Sequence, residues 1–210
     1  LSSVLLVIGV VWSLNLFNFM DGIDGIAASQ ATFVSLASAG LAAVHHDPAP
    51  PLVVLPLATA GACIGFLAWN WPPARIFMGV VGSGSVRVWV AVGGRGLLQN
   101  GALGIWTSVT LGSAFIADAT LTLLRRVARR EPWHQAHRSH AYQHLARRFG
   151  RHRPVTLLLW ALNITIALPL AAAAAAAPRA APIIAAGSIA VFGILALVAG
   201  AGRLETAASR

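Results

Sequence analysis

The sequence predicts an all-α fold, a polytopic transmembrane helix bundle of about seven spans. Three observations carry that expectation. Of 210 residues, 57% are hydrophobic and only 10% are charged, whereas soluble domains carry about 25% charged residues. The mean hydropathy is +0.74. Several apolar runs approach or exceed the roughly 18 residues that a membrane-crossing helix needs. All fifteen basic residues are arginine, and the single Cys63 lies within an apolar run. A lone cysteine excludes an internal disulfide framework and a cysteine-based metal site.

Residues 1 to about 17 read as the end of a first span, which runs into Asn15, Asn18, Asp21 and Asp24. Intervals of three keep side chains on roughly one helical face. Ionisable groups at a membrane boundary are costly and mark function. A capped helix end accounts for Asp21 and Gly22 as the start of a turn, but not for four polar residues in register.

Residues 26–44 form the next span, rich in the small residues that pack closely in lipid. His45, His46 and the prolines that follow read as a solvated loop. Residues 52–70 make a third span ending at Trp69, Asn70 and Trp71, with tryptophans placed as in an interfacial belt. The loop beyond it holds Arg75, Gly79, Gly82 and Ser83. Such a loop can expose backbone N–H groups to a phosphate, although alone it is more often a turn. Residues 86–98 are a poor span, interrupted by Arg87 and Arg95.

Residues 102–124 read as a clear span containing Asp118, which shares a helical face with Thr122 and Arg125. Either a local ion pair or a functional site accounts for a carboxylate at that depth. Residues 125–153 are the only long polar segment, with nine of the fifteen arginines and five of the seven histidines. Basic residues between spans are explained by the positive-inside rule, so this segment reads as a cytoplasmic loop and not as a nucleic-acid site. Residues 154–177 and 183–200 are two final spans, and the alanine run at 171–177 reads as packing.

Counting spans back from the basic loop puts Asp21 and Asp24, the Gly/Ser loop and the basic segment on one side of the membrane. Three polar elements on one face suit an active site better than a path across the bilayer, as a transporter or channel needs. Clustered carboxylates, a Gly/Ser loop and a His/Arg segment suit metal-assisted phosphoryl transfer. The spacing of His134, His137 and His140 is not that of a helical zinc motif.

Taken together, Asn15, Asn18, Asp21 and Asp24, then Trp69, Asn70, Arg75 and Gly79, then Asp118 with Arg125 and Arg126, then His137, Arg138, His140, Tyr142 and Gln143 resemble the polyprenyl-phosphate N-acetylhexosamine-1-phosphate transferases of glycosyltransferase family 4. The resemblance is nearest to the branch that starts O-antigen-type glycans, and more distant from the phospho-MurNAc-pentapeptide translocase. It implies transfer of a sugar-1-phosphate from a UDP-sugar to undecaprenyl phosphate, with release of UMP. It further implies Mg²⁺ (or Mn²⁺) as cofactor, the bacterial inner membrane as location and its cytoplasmic side as the active face. A homodimer is compatible with it, and no nucleic-acid partner is expected.

By the same resemblance, Asp21 and Asp24 are catalytic and metal-binding, supported by Asn15 and Asn18. Arg75, Gly79, Gly82 and Ser83 lie at the metal and diphosphate, Asp118 belongs to the substrate site, and His137, Arg138 and His140 contact the donor. The family's loop carries a metal-binding aspartate where this chain has Val80, and its fold has earlier spans and a further carboxylate pair. Residues 1–210 are therefore expected to form one integral membrane domain, the C-terminal two-thirds of a longer fold. The alternative is a catalytically degenerate or truncated member that binds a lipid or a partner.

Overall fold

The computed structural model describes residues 12, 19–45, 53–79, 101, 103–131 and 138–203. Asn15, Asn18, Val80, Gly82, Ser83 and His137, together with the expected spans at 1–17 and 86–98 (apart from Trp12), lie outside the described residues. The described part is helical: α1 (Ile26–His45), α2 (Val54–Asn70), α3 (Ile105–Leu111), α4 (Ser113–Ala128), α5 (Ala141–Phe149), α6 (Arg153–Leu162), α7 (Leu168–Ala176) and α8 (Ala181–Ala199). A single π-helical turn, Asn163–Ala167, joins α6 to α7.

Among the described residues, three helical stretches are long and apolar enough to cross a membrane: Ile26–His45, Arg153–Ala176 and Ala181–Ala199. These agree closely with the spans expected from sequence. The run at 54–70 forms a helix of 17 residues, just short of that length. The run at 102–124 departs from expectation, because α3 and α4 meet at 74°. The break falls at Gly112, which lacks a Cβ and loses most by staying helical.

Breaking a helix inside an apolar layer frees backbone carbonyls that have no water to turn to. Buried side chains take over. The Gln30 amide donates to the Leu111 carbonyl at 3.2 Å, and the Asn163 amide donates to Gln30 Oε1 at 2.7 Å. On the other side, the Ser113 hydroxyl donates to the Thr110 carbonyl at 2.7 Å, and the Ser188 hydroxyl donates to Ser113 at 2.8 Å. The π turn begins at Asn163, just past the end of α6, at the residue this polar chain reaches.

Helix α1 is the central element. It is buried along most of its length and packs against α2, α3, α6 and α7. Phe33 on α1 meets Trp160 on α6 edge to face, with ring centroids 6.4 Å apart. Ala171 and Ala174 of the alanine run are buried in the bundle, as packing material should be. Outward-facing Leu57, Ile64, Leu157, Ile164, Ile183 and Val198 are exposed, which suits a lipid-facing surface. A separate apolar cluster of Met20, Ile23, Ile26, Phe115, Tyr142 and Val155 joins the chain ahead of α1 to α4, α5 and α6. It is the floor on which the polar segments stand.

Candidate active site

The turn from Asp21 to Gly25 leads directly into α1. Gly25 has φ +73°, and a Cβ there would lie 3.3 Å from Pro72 Cδ and 3.4 Å from the Asn70 carbonyl oxygen. Both the left-handed backbone and the close approach require glycine. The Gly25 N–H donates to Asn70 Oδ1 at 2.9 Å, while Asn70 Nδ2 donates to the Ile76 carbonyl at 2.8 Å. One buried amide at the end of α2 thus ties the carboxylate turn to the loop that follows α2. That loop leaves the helix because Trp71 is extended, the conformation a following proline favours.

Asp24 is held from two further directions. The Ala74 N–H donates to its Oδ2 at 3.2 Å. Ahead of α6, His152 Nδ1 lies 3.1 Å from the same Oδ2, and the Thr156 hydroxyl donates to the Asp24 carbonyl at 3.1 Å. Gly22 lies against α5, whose Tyr142 hydroxyl donates to the Phe19 carbonyl at 3.0 Å. The convergence expected from counting spans is therefore present among the described residues: the carboxylate turn, the loop after α2 and the basic segment meet at one place.

They enclose a cleft of about 900 Å³ whose wall includes Asp24, Arg138, Arg147, Arg151, His152 and Arg153. The wall carries one acidic residue and four arginines, so the cleft favours an anionic ligand. The volume is that of a small-molecule site. His144, one turn before Arg148 on α5, has its pKa lowered by burial and by the adjacent Arg147; as a neutral ring it accepts from Arg147 Nη2 at 3.0 Å.

Several expected site residues fall elsewhere. Asp118 is 4% exposed and does not line the cleft. Its Oδ1 accepts from the Thr122 hydroxyl at 3.1 Å and from the Ala141 N–H at 2.9 Å, and its Oδ2 accepts from the Tyr142 N–H at 3.4 Å. A carboxylate at the first N–H groups of a helix satisfies donors that have no intrahelical partner, so Asp118 docks α5. Arg125 is not its partner and donates instead to the Ala201 carbonyl. His140, 2% exposed, lies with Nδ1 3.5 Å from Asp118 Oδ1 and stacks on Phe19 and Tyr142. It precedes α5 as N-cap residue, and its N–H donates to Gln143 Oε1 at 3.2 Å. Arg75 and Gly79 are exposed outside the cleft wall. Asp21 is exposed and close enough to Tyr142 to raise its pKa, after burial and the Asp118 charge. Of the expected donor contacts that are described, only Arg138 lines the cleft.

The segment 125–153, expected as one loop, contains α5. Its apolar residues recur at Ala141, Tyr142, Leu145, Ala146 and Phe149, and Gly150 with φ +65° ends it. That periodicity predicts a helix and places Arg147 on the cleft side, while Arg151 and Arg153 flank the start of α6. Among the described residues no group of three or more His, Cys, Asp or Glu could hold a metal ion. Mg²⁺ bound with a substrate phosphate needs only one or two protein carboxylates. Asp24, the carboxylate residue of the cleft wall, therefore fits an ion shared with a phosphorylated ligand and not a closed protein cage, while Asp21 lies outside that wall.

Residues 1–94 match glycosyl transferase family 4. The phospho-N-acetylmuramoyl-pentapeptide-transferase of Mycobacterium leprae (strain TN) is 37% identical over 155 residues, 61% of this chain and 41% of that protein. The protein of the same description from Mycobacterium avium (strain 104) is 35% identical over 150 residues, 59% of this chain and 39% of its own. That from Mycobacterium tuberculosis (strain CDC 1551 / Oshkosh) is 36% identical over 154 residues, with 61% and 41% covered. The chain spans about two-fifths of the length of these curated relatives.

Proposed function

We propose that this chain, whose residues 1–94 match glycosyl transferase family 4, transfers an N-acetylhexosamine-type sugar-1-phosphate from a UDP-sugar to undecaprenyl phosphate. The observation that carries this reading is the cleft that Asp24 lines together with Arg138, Arg147, Arg151 and Arg153. In the reaction, a phosphate oxygen of the lipid attacks the sugar-bearing β-phosphorus of the donor. The bond between the two phosphorus-bearing groups breaks, UMP leaves, and a polyprenyl diphosphate sugar remains.

Charge spreads over the phosphoryl oxygens during such a transfer, and fixed cations stabilise it. The arginines supply that charge and orient the donor diphosphate, for which the planar guanidinium is suited. Asp21 and Asp24 would hold Mg²⁺, which neutralises phosphate charge when bound; Mn²⁺ can take the same oxygen ligands. The apolar outer face of the bundle suits a lipid acceptor arriving from the membrane. The location we assign is the bacterial inner membrane, with the cleft toward the cytoplasm, where nucleotide sugars are found, and the product starts a cell-envelope glycan.

The names of the relatives motivate a second reading, in which the group transferred is phospho-N-acetylmuramoyl-pentapeptide. The native protein in its own membrane, given undecaprenyl phosphate and Mg²⁺, should release UMP from a UDP-N-acetylhexosamine. Release only from the muramoyl-pentapeptide donor would favour the second reading. Val80, in place of the aspartate common in the resembling enzymes, favours an inactive lipid-binding relative; release from neither donor, with lipid binding intact, is its signature.

A further inference from the structure

His152 and Thr156, one helical turn apart at the start of α6, both reach Asp24. His152 Nδ1 lies 3.1 Å from Asp24 Oδ2 and 3.4 Å from the Asp24 backbone nitrogen. One ring nitrogen cannot donate to the carboxylate and accept from the N–H at once. The shorter contact, to the charged partner, is the stronger kind of bond and puts a proton on Nδ1. The Ala74 N–H supplies a second donor to the same oxygen at 3.2 Å, and Thr156 holds the carbonyl of the same residue.

An aspartate in a partly exposed turn can swing through several rotamers. Here two donors from separate elements, the loop after α2 and the start of α6, converge on a single carboxylate oxygen. Among the described residues all side-chain contacts of Asp24 fall on Oδ2, so Oδ1 is the oxygen left to meet a ligand. The His152 side chain is 42% exposed and lies in the cleft wall. No sequence motif pointed to it.

We propose that His152 is a positioning residue: its Nδ1–H fixes the rotamer of Asp24 so that the carboxylate is preorganised for the transfer. The proposal rests on the function assigned above. Side-chain geometry supplies the test, because an asparagine amide nitrogen occupies the place of Nδ1 and a glutamine amide nitrogen the place of Nε2. His152→Asn should keep kcat within about tenfold of the native protein, while His152→Gln and His152→Ala should each lose about 100-fold, the scale of a misplaced reacting group. KM for the donor should stay near its native value in all three. Rescue by glutamine instead of asparagine, or a raised KM at unchanged kcat, means that His152 meets the substrate through Nε2 and overturns the proposal. Equal loss in the asparagine and glutamine variants overturns it too. Should the alanine variant fail to fold, the two amide variants carry the comparison.

A second readout needs no turnover. In protein labelled with 15N-histidine, the Nδ1–H signal that disappears in His152→Asn should shift in Asp24→Ala. An unmoved signal overturns the clasp. If the native protein releases no UMP but the signal shifts, the assigned function fails while the contact stands.

Discussion

Gly22 has the least room of any glycine at the candidate site. A Cβ built there would lie 2.2 Å from the Tyr142 hydroxyl oxygen and 2.8 Å from Gln143 Nε2. Ordinary contact needs about 3.5 Å, so in Gly22→Ala the hydroxyl must retreat by roughly 1.3 Å. That movement disrupts its 3.0 Å bond to the Phe19 carbonyl. Overpacking of this kind costs about 1–3 kcal/mol, and the lost hydrogen bond adds about 1 kcal/mol. Gly22→Ala should therefore destabilise the fold by about 2–4 kcal/mol, and Tyr142→Phe alone by about 1 kcal/mol. Removing the hydroxyl also removes the worst clash, so the double variant should be more stable than the sum of the single effects by about 1 kcal/mol or more. Equilibrium unfolding of the four proteins in detergent measures this coupling. Additive effects would refute the reasoning, because they would mean that the Gly22 backbone and the Tyr142 hydroxyl do not compete for one space.

Other expectations follow from neighbouring contacts. Asp118→Ala should lower stability by about 3 kcal/mol by orphaning the N–H groups that start α5, with Asp118→Asn milder; a chemical role would instead leave stability intact and abolish turnover. Tyr142 is the only tyrosine in the chain, and burial, then the charges of Asp118 and Asp21, raise its pKa. The phenol is thus favoured in the folded state: the stability it contributes is complete below pH about 10, the unfolded value, and drains away above it. Absorbance at 295 nm should show no phenolate at pH 10.5 until the protein unfolds. Arg151→Gln should raise KM for the donor about tenfold or more through loss of a charged contact, whereas Arg148→Gln, outside the cleft wall, should leave it unchanged. Gln30→Leu should cost about 1 kcal/mol, as buried polar contacts in membranes do, measured by the same unfolding titration.

Much of the bundle was legible because lipid imposes long uninterrupted apolar runs. The spans at 26–45, 153–176 and 181–199 follow from hydropathy alone. The 74° break between α3 and α4 escaped, since one glycine among apolar residues does not announce a bend. Its signal lay in distant buried residues, Gln30 and Asn163, whose partners are known only once the helices pack. Arg138 stood out through the family resemblance alone, and Asp21 and Asp24 by charge and spacing. Asp118 stood out by the same rule, yet its role is to receive the N-terminus of a short helix more than twenty residues away. His152 and Arg151 escaped for the opposite reason: in a segment holding nine arginines, composition cannot tell which side chains turn inward. The period of α5 held that information, and a segment read as loop concealed it.

The central claim is that the cleft beside Asp24 moves a phosphorylated sugar and not a bare one. A UDP-sugar labelled with 32P at the β-phosphate decides this directly, using the native protein in its own membrane with undecaprenyl phosphate and Mg²⁺. The account predicts that the label enters the lipid fraction while unlabelled UMP appears in equal amount, and that both are lost in Asp24→Asn. Label retained in UDP while sugar reaches the lipid, or transfer undiminished in Asp24→Asn, would contradict it.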